Sequence, residues 1–186
     1  MSRLFPRHKT LRLTERDAIH SVEDCAGYRV TVILGGRLVK YLVLPWNEGL
    51  KTDAEEHAYL RHHFVRVHGT RASTWTFRWS RGLASAVEVG VLEDIAERVA
   101  KAPSSRVVSI QPDLMAAFNR QRASIPFAGA WLYLSDGTHS CVGLYARDNW
   151  LAVQTGRRNW KEMLEQERHR GYEPNPQTVI RLEAVH

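Results

Sequence analysis

The sequence predicts an α/β protein with α+β mixed sheets, built as two small lobes or one compact domain. Two observations predict this class. Strand patterns followed by a helix pattern occur twice, from Leu11 to about Gly69 and from Ala130 to about Arg170. The chain has 186 residues, of which 44% are apolar, enough for a hydrophobic core.

The first segment is predicted to begin with three antiparallel strands, over residues 11–20, 28–34 and 37–44. Apolar residues alternate in the second of them, which is typical of a strand. Gly35-Gly36 supplies a two-residue turn of the kind that needs φ > 0, so we expect a hairpin there. Pro45 ends the third strand because proline has no N–H to donate to a sheet.

Two helices are predicted in this half from their caps and apolar stripes. Thr52 and Glu55 form a capping box, and the helix that follows places three apolar side chains on one face: Leu60, Phe64 and Val67. The most regular helix pattern covers residues 91–102 and carries a longer apolar stripe: Leu92, Ile95, Ala96 and Val99.

Between these helices, three aromatic side chains alternate on a predicted strand over residues 74–79, which pairs with residues 84–89. They are Trp75, Phe77 and Trp79. A nucleic-acid stacking platform would carry basic residues on the same face, and here Arg78 points the other way. We therefore interpret the aromatic face as core.

The remaining elements continue the same alternation. A short strand over residues 106–110 leads to a helix that starts at Pro112. The second half is predicted as a meander of three strands with turns at Asp136-Gly137 and Asp148-Asn149, then a helix capped by Asn159 and a last strand from Thr178. Pro126 and Gly129 mark a boundary, which gives a first lobe over residues 1–122 and a second, minimal lobe over residues 128–186.

This order of strands and helices is the layout of ribonuclease-H-like lobes, and two such lobes make the actin-like architecture. Four stretches also resemble the actin-like cytoplasmic assembly proteins of type IV pilus and type II secretion systems: Leu42–Trp46, Ala84–Val89, Val108–Asn119 and Val142–Val153. The third contains a short strand, a Ser-x-x-Pro motif and a helix ending in Asn, as in those proteins.

The resemblance implies a scaffold that contacts other assembly components through its lobe faces and sheet edges. No apolar stretch approaches the ~20 residues that span a bilayer, so we expect a soluble, cytoplasmic relative without direct membrane insertion. Cys25 and Cys141 lie in different halves with no metal-ligand spacing, and we expect both to be buried small apolar residues.

The candidate chemistry is incomplete at each position where this architecture would need it. Active actin-like proteins carry an Asp-x-Gly loop in each lobe, whereas the turn at Gly35-Gly36 has no acid and Asp136 adjoins its glycine directly. A nuclease needs converging carboxylates, which Asp17 and the solvent-facing acids of the 91–102 helix do not provide.

The four histidines at positions 57, 62, 63 and 68 lack the i, i+4 spacing of a helical metal site. We therefore expect no catalytic residue, no cofactor and no metal.

Candidate partner-binding residues lie in two places. Trp46 follows Pro45 at a strand end and is a candidate exposed anchor for another protein. The densest basic stretch surrounds the last helix: Arg157, Arg158, Lys161 and Arg168. It could dock an acidic partner or a phosphate backbone, consistent with a net charge of +6.

We expect a non-enzymatic scaffold or adaptor that binds other proteins, with a basic nucleic-acid-binding module as the alternative. The sequence leaves the partner and the oligomeric state open.

Overall fold

A computed structural model describes residues 7–16, 18, 25–45 and 47–185. The strands are β1 (Arg7–Leu13), β2 (Tyr28–Leu34), β3 (Val39–Val43), β4 (Trp75–Ser80), β5 (Leu83–Glu88), β6 (Arg106–Pro112), β7 (Ala130–Ser135), β8 (Ser140–Ala146), β9 (Asn149–Gly156) and β10 (Val179–Arg181). The α-helices are α1 (Asp53–His68), α2 (Val89–Lys101), α3 (Asp113–Gln121) and α4 (Trp160–Arg168). Short 3₁₀ helices cover Thr70–Thr74 and Arg122–Ser124. The predicted mixed α/β class is confirmed.

The strands form three sheets, in the orders β1-β2-β6, β3-β5-β4 and β10-β7-β8-β9. The last sheet is the meander predicted for the second half: β7, β8 and β9 pair antiparallel, and β10 returns parallel to β7. The turn between β8 and β9 is at Arg147-Asp148, where both residues have positive φ, one residue before the predicted position. No helix in the described part of the chain is both long and apolar enough to cross a bilayer.

The prediction of three antiparallel strands at the start of the chain is wrong. β1 runs from Arg7, earlier than predicted, and pairs with β2 in parallel. β2 pairs parallel with β6 on its other side, while β3 leaves this sheet and pairs antiparallel with β5. Parallel neighbours need a long crossover rather than a tight turn. In the sequence, 14 residues separate Leu13 from Tyr28, more than a tight turn uses.

The predicted hairpin at Gly35-Gly36 is therefore also wrong, and neither glycine has a positive φ. The two residues are glycines for a different reason. A Cβ on Gly35 would lie 3.0 Å from the backbone Cα of Thr14, and a Cβ on Gly36 would lie 2.8 Å from Nδ1 of His139. The absence of a side chain thus allows the turn to approach its neighbours closely.

The helix predictions hold in position but shift in phase. The Thr52–Glu55 capping box is present at the start of α1, but Val67 in its last turn is 61% exposed rather than buried. In α2 the buried side chains are Val91, Ile95 and Val99, whereas Ala96 is exposed. Asn159 caps α4 by accepting from the Lys161 amide at 2.9 Å.

The aromatic strand faces inward, as predicted. Trp75 and Phe77 of β4 are each 4% exposed and pack against Phe64 of α1. Trp79 is half-buried and stacks on Tyr59, and Arg78 is exposed on the opposite face. The aromatic side chains of this strand form core instead of a nucleic-acid platform.

One hydrophobic cluster joins the two halves of the chain. It contains Leu13, Val32 and Ile95 from the first half together with Leu132 and Trp150 from the second. All strands of the β10-β7-β8-β9 sheet follow residue 128, and all strands of the other two sheets precede residue 122. The division into lobes at these positions stays a prediction.

Candidate functional site

The site of interest lies where the turn after β2 meets the turn after β7. Leu13 accepts from the Gly35 amide at 2.7 Å, and the Leu38 amide donates to the Gly35 carbonyl at 3.0 Å, which closes the first turn. The contact between Gly36 and the His139 ring then brings the second turn directly against the first. These are the two turns to which the sequence analysis assigned the nucleotide position of active actin-like proteins.

The Asp136 carboxylate is occupied within its own turn. One of its oxygens, Oδ1, accepts from the Thr138 amide at 2.9 Å, the Thr138 hydroxyl at 3.0 Å and the His139 amide at 2.7 Å. Burial raises the pKa of this carboxyl, but these hydrogen bonds outweigh burial and lower the pKa overall. The Thr138 and His139 N–H groups, which could otherwise bind a phosphate, therefore donate to the Asp136 side chain.

Beneath the turns lies a buried ion pair. Asp113, the first residue of α3, is 2% exposed, and its Oδ2 accepts from both Nε and Nη2 of Arg12. Two further side chains complete this cluster, Tyr41 and Cys141. The space left among them is about 10 Å³, no more than a single water needs.

Burial and the nearby Asp113 charge make both neighbours poor acids. They raise the pKa of the Cys141 thiol to about 12, and burial raises the pKa of Tyr41 well above its ordinary value. A pKa this high keeps the thiol protonated at neutral pH, which disfavours a role as nucleophile or metal ligand. Both cysteines are buried, as predicted. No His, Cys, Asp and Glu cluster suited to a metal occurs within the described ranges.

Local sequence patterns do not reveal this cluster, because its members are far apart in the chain. Arg12 and Asp113 are separated by 101 positions. The one local signal at Asp113 is its position after Pro112, which indicates the start of a helix. That signal gives no information about a buried ion-pair partner.

The predicted basic surface divides into separate parts. Arg157 and Arg158 are exposed, and Arg158 donates to Oε1 of Gln166 at 2.9 Å. Lys161 is exposed, with its Nζ 5.7 Å from the centre of the Trp160 ring. Arg168 instead donates to the carbonyl oxygens of residues 176 and 177, at 3.5 and 3.2 Å, and so ties α4 to the loop before β10.

Trp46 lies outside the described residues, and its role as an anchor stays a prediction. The structure does not bring the four basic residues together as one free surface: three are exposed, and Arg168 serves the packing of the fold.

Three solved structures share this architecture. The cytoplasmic domain of EpsL, an inner membrane component of the type II secretion system of Vibrio cholerae, is 13% identical with a TM-score of 0.63, and the match covers 94% of this chain and 81% of that one. The PilM-PilN type IV pilus biogenesis complex is 13% identical with a TM-score of 0.54, covering 81% of this chain and 50% of that one. A Bacteroides thetaiotaomicron protein with an actin-like ATPase fold and unknown function is 8% identical with a TM-score of 0.51, covering 83% and 58%.

No protein-family model matches the sequence. No curated protein matches it either. The chain spans only about half the length of two of the three structures above. At these identities the likeness is one of fold. The chain has the actin-like fold of these secretion and pilus assembly proteins, which confirms at the level of fold the resemblance found in the sequence.

Proposed function

We propose that this chain is a non-enzymatic cytoplasmic scaffold or adaptor that binds other proteins, in an assembly of the pilus or secretion type. One observation carries the proposal. The two turns that we assign to the nucleotide position of active actin-like proteins contact each other, and Asp136 accepts hydrogen bonds from the Thr138 and His139 amides of the second turn. Because the Thr138 and His139 amides already donate to Asp136, the second turn does not offer them to a phosphate, and we infer that the protein acts through its surfaces.

The similar structures support the same proposal. EpsL is named as a component of a secretion system, and PilM-PilN as a complex in pilus biogenesis. Both descriptions are of proteins that work within assemblies. By analogy, the partners of this chain are other proteins of such an assembly.

The first test is nucleotide binding measured by calorimetry with Mg-ATP and Mg-GTP. Because Asp136 already engages the Thr138 and His139 amides, we expect affinity weaker than about 1 mM, or roughly −4 kcal/mol. A micromolar affinity, or hydrolysis that depends on Asp136, would overturn the inert site.

The second arm of the test addresses partner binding. Proteins encoded beside this chain are expressed with it, and those that co-purify at high salt are identified. We expect envelope-assembly proteins among them. Recovery of nucleic acid without protein would favour the alternative, a basic nucleic-acid-binding module, for which the exposed Arg157, Arg158 and Lys161 provide the supporting observation.

A further inference from the structure

A second concave site lies beside the start of α2, and two residues of the first turn, Arg37 and Leu38, contribute to its lining. It has a volume of about 200 Å³ and is bounded by β3, β5, α2 and the 3₁₀ helix before β4. Four cationic side chains line it: Arg16, Arg37, Lys40 and Arg71. We call it the Lys40 pocket. The single carboxylate in its lining belongs to Glu88.

Two of the four cations are not neutralised. Arg16 pairs with Asp94 at 3.2 Å, and Arg37 pairs with Glu15 at 3.1 Å. Lys40 and Arg71, in contrast, form no ion pair with any carboxylate in the described ranges. The Nε atom of Arg37 is also buried without a hydrogen-bond partner among the described residues. The pocket therefore has unused positive charge.

Burial and this positive charge lower the pKa of two neighbouring histidines, His68 and His139. Burial lowers the pKa of His68, and the charges of Lys40 and Arg71 lower it further. Burial also lowers the pKa of His139; Asp136 opposes this, whereas Lys40, Arg37 and Arg157 add to it. Cations that disfavour protonation of two histidines will favour an incoming anion.

The start of α2 contributes in the same direction. Glu88 is the N-cap residue but its side chain makes no capping hydrogen bond, and the first turn of the helix has no acidic residue. A helix N-terminus carries partial positive charge. The partial positive charge of the α2 N-terminus adds to the charge of the four cationic side chains and favours a bound anion.

The floor of the pocket is apolar. It is formed by Leu38, Trp75, Ala86 and Val91, and the last three are buried. The Arg71 guanidinium lies 5.9 Å from the Trp75 ring centre, so the cationic rim and the apolar floor meet there. At 4% exposure, Trp75 presents too little surface for a nucleobase to stack on it. A phosphate alone would contact the cationic rim and make no contact with the apolar floor.

We propose that the Lys40 pocket binds an acidic peptide segment of a protein partner, in which an Asp or Glu stands next to an apolar residue. The carboxylate lies between Lys40 and Arg71, and the apolar side chain lies against Leu38, the floor residue that is only partly buried. The inference rests on the proposed protein-binding function and names the chemistry of the segment that is bound.

The test is a selection from a phage library of random dodecapeptides on the wild-type chain, with counter-selection on the double variant Lys40→Gln/Arg71→Gln. Synthetic peptides from the selection are then measured by fluorescence anisotropy. We expect acidic residues adjacent to apolar ones, and an affinity loss of about tenfold or more in the double variant. The matched control is Lys51→Gln/Arg106→Gln, which removes the same charge from exposed positions elsewhere and should retain binding.

A third variant separates binding from structure. Glu88→Gln removes the one carboxylate in the pocket lining, which repels an incoming anion, without removing a capping hydrogen bond, so peptide affinity should rise. All variants should keep the wild-type melting temperature. The proposal fails if no peptide is selected, if the selected peptides lack acidic residues, or if Lys40→Gln/Arg71→Gln binds them equally.

Inorganic phosphate and a single-stranded oligonucleotide serve as competitors. Displacement of the peptide by the oligonucleotide at lower concentration than by free peptide would assign the pocket to nucleic acid and overturn the proposal. The co-purification test is repeated with Lys40→Gln/Arg71→Gln. Partners that are retained by this variant leave the scaffold function intact while the pocket assignment fails; the absence of partners from the wild type contradicts the function itself.

Discussion

Among single residues, Asp113 is the most constrained polar side chain of the candidate site. It is 2% exposed, its Oδ2 is held by Arg12, and its Oδ1 has no hydrogen-bond partner among the described residues. Such a carboxylate depends on one guanidinium for its charge compensation. The ion pair joins β1 to α3 directly below the two turns, and it therefore holds together the two elements on which the turns rest.

Removal of Arg12 should therefore be costly. We expect Arg12→Leu to lower the free energy of unfolding by about 3–5 kcal/mol at neutral pH, because it leaves a buried charge unpaired. Urea denaturation provides the measurement. Arg12→Leu/Asp113→Asn should recover part of this loss, since no unpaired charge remains.

The exposed pair between Arg16 and Asp94 is the matched control. Their side chains are 59% and 43% exposed, and a solvated pair contributes about 0–1 kcal/mol. Equal losses for Arg12→Leu and Arg16→Leu would show that burial of Asp113 does not govern the energetics of this cluster.

Among the elements, α2 gives the clearest test of helix phase. Ile95 is fully buried in the cluster that joins the two halves, while Glu93 of the same helix is exposed. Ile95→Ala should reduce the free energy of unfolding by roughly 2–5 kcal/mol through loss of packing and creation of a cavity. Glu93→Ala should remain within about 0.5 kcal/mol. Chemical denaturation that finds similar effects at both positions would contradict the observed orientation of the helix.

The elements also show which parts of the fold the sequence could predict. Hairpins with short turns, such as β4-β5 and β7-β8, were predicted correctly because each pairing is decided by neighbouring residues. The parallel pairing of β1 with β2 and β6 depends on residues far apart in the chain, and a local pattern cannot detect it. Gly35-Gly36 misled for the same reason, since its glycines serve contacts with Thr14 and His139.

The candidate site follows the same division. The missing acid at the first turn and the Asp-Gly turn at residue 136 were visible in the sequence. The closure of one turn on the other, the Arg12–Asp113 pair and the Lys40 pocket were not, because each is assembled from several elements. The buried face of α2 was only partly predictable. Periodicity in the sequence identifies the helix, but packing against the rest of the fold buries Val91 and leaves Ala96 exposed.

For the whole molecule, the distribution of positive charge decides between the two candidate functions. The chain has 26 Lys and Arg against 20 Asp and Glu. The Lys40 pocket holds part of the excess in a concave site, and Arg157, Arg158 and Lys161 hold another part near α4. Nucleic-acid binding would require the second group to contact phosphates, whereas the scaffold function requires no such contact.

These alternatives differ in their dependence on salt. Each neutralised phosphate releases counterions, so three contacts from Arg157, Arg158 and Lys161 would give a slope of about −3 in a plot of log K against log salt. Because these side chains are few and Arg168 is bound to the loop before β10, we expect no sub-micromolar binding of single- or double-stranded oligonucleotides. Anisotropy titrations at ~50 and ~200 mM salt provide the measurement. Sub-micromolar binding that collapses at the higher salt, is lost in Arg157→Ala/Arg158→Ala and survives in Lys51→Gln/Arg106→Gln would replace the scaffold proposal with the nucleic-acid module.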